Sequence, residues 1–225
     1  MNAKIRNCRN LLRRNSDKDT QATLDQLTQF AKKSLICSTR RKLRGYEGSA
    51  ARYYLSQFNC MLGEKAKNEG FSFERRTRRP PEDPINAMLS FGYALLLKDV
   101  IIALESAGLD PMHGFYHVTR SSRPALALDL MEFMRPLLVD STVISVINNG
   151  RIKKDHFERR DKGVYFTHEG SRKFISEYER RLTSMMTDSD TGQKIRLRTA
   201  VYRAADNLAL YLSGRLNDFK PLVSR

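Results

Sequence analysis

Apolar residues recur at intervals of three and four positions along most of the chain, which is the spacing of helices that bury one face. The first such pattern, Ile5, Cys8 and Leu11, predicts a basic helix from Lys4 to Arg14. The same spacing predicts further helices, approximately over residues 20–36, 47–61, 85–107, 124–135, 141–148, 169–186 and 194–216.

Turn-forming residues separate these helices. Residues 68–84 include three prolines and predict a loop, with Pro84 in the first turn of the next helix. Residues 40–44 predict a basic turn before the third helix. Two short extended stretches, around Phe157 and over residues 164–167, predict a small hairpin. We therefore expect an all-α, multi-helix fold with at most one small hairpin.

The composition is strongly basic, with 40 lysines and arginines against 25 acidic residues and a net charge of +15. Such an excess favours polyanions, chiefly DNA or RNA, although loose nucleic-acid binding by basic proteins is common. We expect no apolar run to approach the length of a membrane-spanning helix, and the polar residues after Met1 argue against a secretory signal. The three widely separated cysteines fit free thiols. A cytoplasmic protein that binds no membrane is expected.

Histidine and carboxylate side chains that could bind a divalent ion lie in and before the middle of the chain. Asp129 and Glu132 are three residues apart, so both face one side of a helix, and His117 precedes them by a short loop. Glu47 lies near the start of an earlier helix. Oxygen ligands with one imidazole suit Mn²⁺ or Mg²⁺, which activate phosphodiester chemistry. Glu47, His117 and Glu132 are therefore candidate metal ligands, and Asp129 could coordinate the ion or orient a ligand.

Each of these residues also has an ordinary structural explanation. A glutamate at a helix start interacts favourably with the helix dipole, and a histidine in a loop is commonly solvated or hydrogen-bonded. His113 competes with His117 for the same role. Against this, Asp129 and Glu132 lie in an apolar run, and buried acids need a cationic partner. From the residues alone, the metal site and the structural explanation are equally favoured.

Three longer blocks resemble the CRISPR-associated integrase family, whose members insert new spacers into CRISPR arrays. The first is LRGYEGSAARYY at residues 43–54, and the second is RPPEDPINAMLSFGY at residues 79–93. The third begins with AGLDP at residues 107–111 and continues through His117 to Pro136. The order and spacing of the blocks make the resemblance specific, and it covers nearly the whole chain.

The resemblance implies that Glu47, His117 and Glu132 are the catalytic, metal-binding residues, with Asp129 as a further acid near the site. It implies a metal-dependent DNA endonuclease and integrase, in which a DNA 3′-hydroxyl attacks a phosphodiester of the array. A small partner subunit and a homo-oligomer are expected with it. Family members usually carry a preceding β-rich domain, so residues 1–225 are expected to form the helical catalytic domain without it.

Basic residues beside these positions are candidate DNA contacts, namely Arg44, Arg120 and Arg123. Two other functions stay open on the sequence. One is a catalytically idle DNA-binding remnant that lacks the dimerisation domain, and the other is a stand-alone divalent-metal nuclease. The retained set of Glu47, His117 and Glu132 favours a catalytic protein over an idle remnant.

Overall fold

The computed structural model describes residues 1–16, 18–118 and 121–224. Within these ranges the chain forms nine α-helices and two short antiparallel strand pairs, which confirms the predicted all-α class. The helices are α1 (Asn2–Asn15), α2 (Gln21–Ile36), α3 (Arg40–Ser56), α4 (Glu64–Asn68), α5 (Pro84–Ser106), α6 (Ala125–Met131), α7 (Ser141–Asn148), α8 (His168–Thr183) and α9 (Leu197–Leu212). A π-helical turn, Arg135–Asp140, leads into α7, and 3₁₀ turns cover Phe58–Met61 and Lys154–His156.

The predicted hairpin is present as strands β1 (Phe157–Arg160) and β2 (Gly163–Phe166). Phe157 lies opposite Phe166, and their rings stack with centroids 4.6 Å apart. A second pair, β3 (Met185–Thr187) with β4 (Lys194–Arg196), occupies positions where the apolar spacing predicted helix ends. Gly192, at φ 73°, lies in the turn between these two strands, where a side chain would be strained.

The predicted basic turn at residues 40–44 is wrong, because these residues form the first turn of α3. Thr39 caps this helix, and its hydroxyl accepts a hydrogen bond from the backbone N–H of Lys42 at 3.3 Å. Arginine and lysine are good helix formers, and the helix continues through Gly45 and Gly48. Glu47 therefore lies inside α3, two turns from its start.

Helix α5 is the central helix of the core. Pro84 opens it as predicted, and the Asp83 side chain caps it by accepting from the Asn86 backbone N–H at 2.8 Å. It has 23 residues, and an 18-residue stretch within it has a mean hydropathy of 1.8, so it is long and apolar enough to cross a membrane. The expectation that no run approaches this length is therefore wrong. Half of its apolar stretch is buried, and it packs against α6, α9, β2 and the π-helical turn.

The loop predicted over residues 68–84 is confirmed over most of its length, and buried Asn86 organises it. The Asn86 side-chain oxygen accepts from the Arg76 guanidinium at 2.8 Å and from the Thr77 backbone N–H at 3.0 Å. Its amide donates to the carbonyl of Arg75 at 2.8 Å. These bonds hold the arginine-rich loop against α5.

Buried Asn7 fixes α1 against the rest of the molecule. Its amide donates to the carbonyls of Phe133 at 2.9 Å and Leu222 at 3.0 Å, and its oxygen accepts from the Ser224 N–H at 2.9 Å. Lys4 is three residues earlier in the same helix and therefore lies on a neighbouring part of its surface. The anchor thus places the first turn of α1 beside the segment that contains Glu132.

Candidate metal centre

Glu47 and Glu132 meet at a single cationic atom, although 84 residues of chain lie between them. The Lys4 ammonium nitrogen is 2.6 Å from Glu47 Oε1 and 2.6 Å from Glu132 Oε2. Glu132 is buried, with 5% of its surface exposed, and Glu47 is partly buried. Helices α1 and α3 and the turn after α6 therefore each contribute one charge to the same position.

The charges around Glu132 keep its carboxylate ionised despite its burial. Burial by itself would raise the pKa of Glu132, but Lys4 and then Arg135 more than offset this, and the pKa lies below its ordinary value. Arg135 reaches the other carboxylate oxygen at 3.2 Å. For Lys4, burial would lower the pKa, but the two glutamates raise it above its ordinary value.

The contacts of Lys4 with the two glutamates differ in hydrogen-bond geometry. Its ammonium donates an aligned hydrogen bond to Glu47, whereas the contact with Glu132 Oε2 is an ion pair without hydrogen-bond alignment. Glu132 Oε2 is fully buried and accepts no aligned hydrogen bond from the residues that the structure describes. This oxygen is therefore the least satisfied acceptor of the centre.

Asp129 holds the loop that carries His117. Its carboxylate accepts hydrogen bonds from the backbone N–H groups of Phe115 at 2.7 Å, Tyr116 at 2.8 Å and His117 at 2.8 Å. It also contacts His117 Nδ1 at 2.6 Å. Burial would raise the pKa of Asp129, but the imidazole and the three backbone groups lower it below its ordinary value. A proton on Nδ1, facing this carboxylate, would leave the lone pair of His117 on Nε2.

Tyr116 connects this loop to α3. Its hydroxyl donates a hydrogen bond to Glu47 Oε2, and burial followed by this bond raises the pKa of the phenol. The Arg44 guanidinium, one turn before Glu47, donates to the Tyr116 carbonyl at 3.2 Å and lies 5.7 Å from the centre of the Tyr116 ring. The loop that carries His117 (the histidine loop) is thus held to α3 by contacts of Tyr116 with Glu47 and Arg44.

The structure brings Glu47, Glu132 and His117 into one region, two of them by direct convergence and one through intervening residues. Glu47 and Glu132 converge directly, whereas His117 is connected to them through Asp129 and Tyr116. His113, the competing histidine, is exposed and pairs with Asp110 at 2.8 Å outside this region.

Of the predicted DNA contacts, Arg44 is exposed at the edge of the centre, and Arg123 is half-buried just before α6. Arg120 lies outside the described residues.

Sequence reasoning missed Lys4, Tyr116 and Arg135 as members of the site. Lys4 and Arg135 are two of 40 basic residues, and no local pattern distinguishes them from the rest.

The donor set is compatible with a hard divalent cation at the position where the two glutamates face each other. Two carboxylates already meet one positive charge there, and Glu132 Oε2 accepts no aligned hydrogen bond. Over residues 1–16, 18–118 and 121–224, no three His, Cys, Asp or Glu side chains are grouped closely enough to hold an ion together. Glu47 and Glu132 fit as two ligands of such an ion, and the loop that carries His117 adjoins them through the contact of Tyr116 with Glu47.

A small cleft of about 70 Å³ opens beside Glu47. Its apolar lining includes Ile5, Ala50 and Leu55 from α1 and α3. Its polar lining is mainly basic, with Lys4, Arg76, Arg78 and Arg135 against the acids Glu47 and Asp140. The excess of cationic side chains in this lining favours an anionic group.

Gly114 provides a test of how tightly the histidine loop is held. A Cβ atom at this position would lie 2.7 Å from the Ala125 carbonyl carbon and 2.8 Å from Asp129 Oδ2. We expect Gly114→Ala to displace the loop. On the metal-dependent DNA chemistry that the sequence leads us to expect at this centre, the variant should lose activity at least about 100-fold, because misplaced catalytic groups have losses of this size. The measurement is single-turnover cleavage or joining of branched DNA.

Gly45→Ala is the matched control, because nothing lies within 4 Å of the added Cβ atom in α3. It should keep full activity and stabilise the helix by about 0.5–1 kcal/mol. Equal activity of the two variants would show that the loop tolerates displacement, and would contradict this account of Gly114.

Comparison with known proteins identifies the family. The sequence profile described as CRISPR associated protein Cas1 matches residues 1–180. A CRISPR-associated exonuclease Cas4/endonuclease Cas1 fusion from Geobacter sulfurreducens is 41% identical over 230 residues, covering 99% of this chain and 41% of the relative. This chain thus spans well under two thirds of that relative's length.

Solved structures agree with the sequence match. A casposase bound to an integration product superposes with a TM-score of 0.78 and 27% identity, over 97% of this chain and 60% of that one. A chain of a partial Cas6-RT-Cas1–Cas2 complex superposes with a TM-score of 0.80 and 30% identity, over 99% of this chain and 67% of that one. The profile match, the relative and these folds together show that the chain belongs to the Cas1 family of CRISPR-associated proteins.

Proposed function

We propose that this chain is the catalytic part of a divalent-metal-dependent DNA endonuclease and integrase, which inserts new spacer DNA into a CRISPR array. The observation that carries the proposal is the convergence of Glu47 and Glu132 on one cation, beside a loop that presents His117. Membership of the Cas1 family supports it, since relatives are named as endonucleases. The casposase neighbour, bound to an integration product, supports strand transfer as the reaction class.

Glu47, Glu132 and the free Nε2 of His117 would hold Mn²⁺ or Mg²⁺. The ion would supply positive charge to a phosphodiester at which a DNA 3′-hydroxyl attacks. Asp129 keeps the imidazole in the tautomer that leaves Nε2 available, and its three bonds to backbone N–H groups fix the loop. Arg135 holds the Glu132 carboxylate at 3.2 Å.

DNA is the proposed substrate because of both the net charge of +15 and the cations around the centre. Arg44 is exposed one turn before Glu47, and Arg76 and Arg78 line the adjoining cleft. These side chains would meet phosphates on either side of the reacting bond, and Arg123 would extend the contact towards α6. Arg120 remains a proposed contact from the sequence alone.

Further parts of the proposal concern assembly. One structural neighbour belongs to a complex that contains Cas2, which supports binding of a small partner subunit and work within a larger assembly. We extend this to a homo-oligomer that acts in the cytoplasm on chromosomal array DNA. The residues proposed to hold the ion all come from one chain.

The reaction is tested by supplying a short duplex with free 3′-hydroxyls and a supercoiled plasmid that carries an array, with Mn²⁺ and with EDTA. We expect covalent joining of the duplex to the plasmid with Mn²⁺ only, measured by transfer of a 3′-strand label. Degradation without joining would show a nuclease in place of an integrase. DNA binding without either reaction would show the idle remnant.

A further inference from the structure

The most unusual group of the centre is the ammonium of Lys4, which lies between two carboxylates that the proposed function assigns to a metal ion. It is 2.6 Å from an oxygen of each glutamate, and the side chain is 15% exposed. A structural salt bridge would need only one acid. Here a single monovalent cation takes the place between two oxygen donors where a divalent cation would bind.

The position of Lys4 follows from the fold and not from a flexible surface side chain. Asn7, in the same helix, is buried and bonded to the carbonyl of Phe133, the residue after Glu132. Helix α1 also packs against α3, which carries Glu47, and against the π-helical turn after Glu132. The backbone of α1 therefore cannot move away without breaking the core, but a lysine side chain can swing by rotation about its own bonds.

Two carboxylates brought this close repel each other and are costly to bury as a pair of negative charges. Lys4 offsets that repulsion in the metal-free protein and keeps the two side chains convergent. A divalent ion and the ammonium group cannot occupy the same position, and they repel each other at short range. Binding of the ion therefore requires Lys4 to leave.

We propose that Lys4 is an internal placeholder cation, which preorganises Glu47 and Glu132 in the metal-free protein and is displaced when the divalent ion binds. This inference rests on the proposed metal centre and adds that the Lys4 ammonium and the divalent ion compete for the same position. Once displaced, the ammonium stays tethered to α1 beside the adjoining basic cleft, which it already lines. It is then placed to meet a DNA phosphate, so metal loading and DNA contact are coupled through one side chain.

The test is Mn²⁺ binding by isothermal titration calorimetry, without DNA, on wild-type protein and Lys4→Met. Removing the competing charge should lower the dissociation constant for Mn²⁺ at least about tenfold.

Thermal unfolding gives a second readout. In EDTA, Lys4→Met should melt at least about 6 °C below the wild type because its carboxylates are unpaired. Saturating Mn²⁺ should remove most of that difference.

Arg6→Met is the matched control, because it removes one positive charge from the same helix. Arg6 pairs with Asp190 at 2.6 Å in an exposed contact away from the glutamates. Its Mn²⁺ affinity should match that of the wild type. Lys4→Gln replaces Lys4→Met if the latter is unfolded in EDTA, since an amide can still donate a hydrogen bond to a carboxylate, and the same tightening is expected.

The outcomes separate this inference from the proposed function. Tighter Mn²⁺ binding in the Lys4 variants, lost when Glu132→Gln is added, supports the placeholder. Unchanged or weaker binding in the Lys4 variants overturns it and leaves the metal centre intact. Absence of Mn²⁺ binding in the wild type, or binding that survives Glu132→Gln, overturns both.

Discussion

Glu132→Gln is expected to lower the rate of Mn²⁺-dependent DNA joining at least about 1,000-fold, equivalent to about 4 kcal/mol of transition-state stabilisation. Glutamine keeps the shape of the side chain but removes the negative charge that attracts a cation. Glu132 is 5% exposed and already faces Lys4 and Arg135, so no other described acid can take its position. The measurement is single-turnover joining of a labelled duplex at saturating DNA.

DNA affinity should be retained in this variant, because the carboxylate repels phosphate and does not bind it. Glu179→Gln is the control: it removes the same charge from α8, where Glu179 is half-buried and pairs with Arg198. That variant should keep wild-type activity. If Glu132→Gln kept more than about a tenth of the wild-type rate, the carboxylate would not be part of the reacting centre.

Asp140→Ala is expected to have the largest effect on stability, lowering the free energy of unfolding by about 4 kcal/mol. The buried Asp140 carboxylate accepts hydrogen bonds from the hydroxyls of Tyr54 at 3.0 Å and Tyr93 at 2.7 Å. Alanine would leave both hydroxyls without this acceptor and would create a cavity beside the cleft. For a domain of this size the melting temperature should fall by about 8–16 °C, measured by calorimetry.

Burial raises the pKa of Asp140, so part of the stabilisation by the two hydroxyls is offset by the cost of the charge. Asp140→Asn retains an acceptor oxygen without that charge and should lose less than half as much stability as Asp140→Ala. Adding Tyr54→Phe to Asp140→Ala should cost little more, because the phenol has already lost its partner. Additive losses in the double variant would contradict the proposed coupling.

Two short extended stretches predict the first hairpin. The periodic apolar positions predict eight of the nine helices that the structure describes, because burial of one face dominates the choice of secondary structure, and they miss the five-residue helix α4. They failed at residues 40–44, where several charged residues before Gly45 suggested a turn. Lysine and arginine have high helix propensity, and the Thr39 cap starts the helix there. They also did not reveal β3 and β4, whose three-residue strands are too short to show an alternating pattern.

The candidate site was predictable only in part. A spacing of three positions places Asp129 and Glu132 on one side of a helix, but it does not determine which partner each side chain meets. Asp129 binds the His117 loop, whereas Glu132 faces Lys4. That division of partners depends on contacts between residues that are distant along the chain. The sequence alone contains no signal for the contact between residue 4 and residue 132.

The separation of Lys4, Glu47 and Glu132 along the chain also has a consequence for synthesis on the ribosome. Lys4 and Glu47 are translated before Glu132, so these two residues can pair before Glu132 has been made. The proposed metal centre is therefore incomplete until the later segment has emerged and docked. An unfinished product of translation would lack one of the two carboxylates on which the proposed chemistry depends.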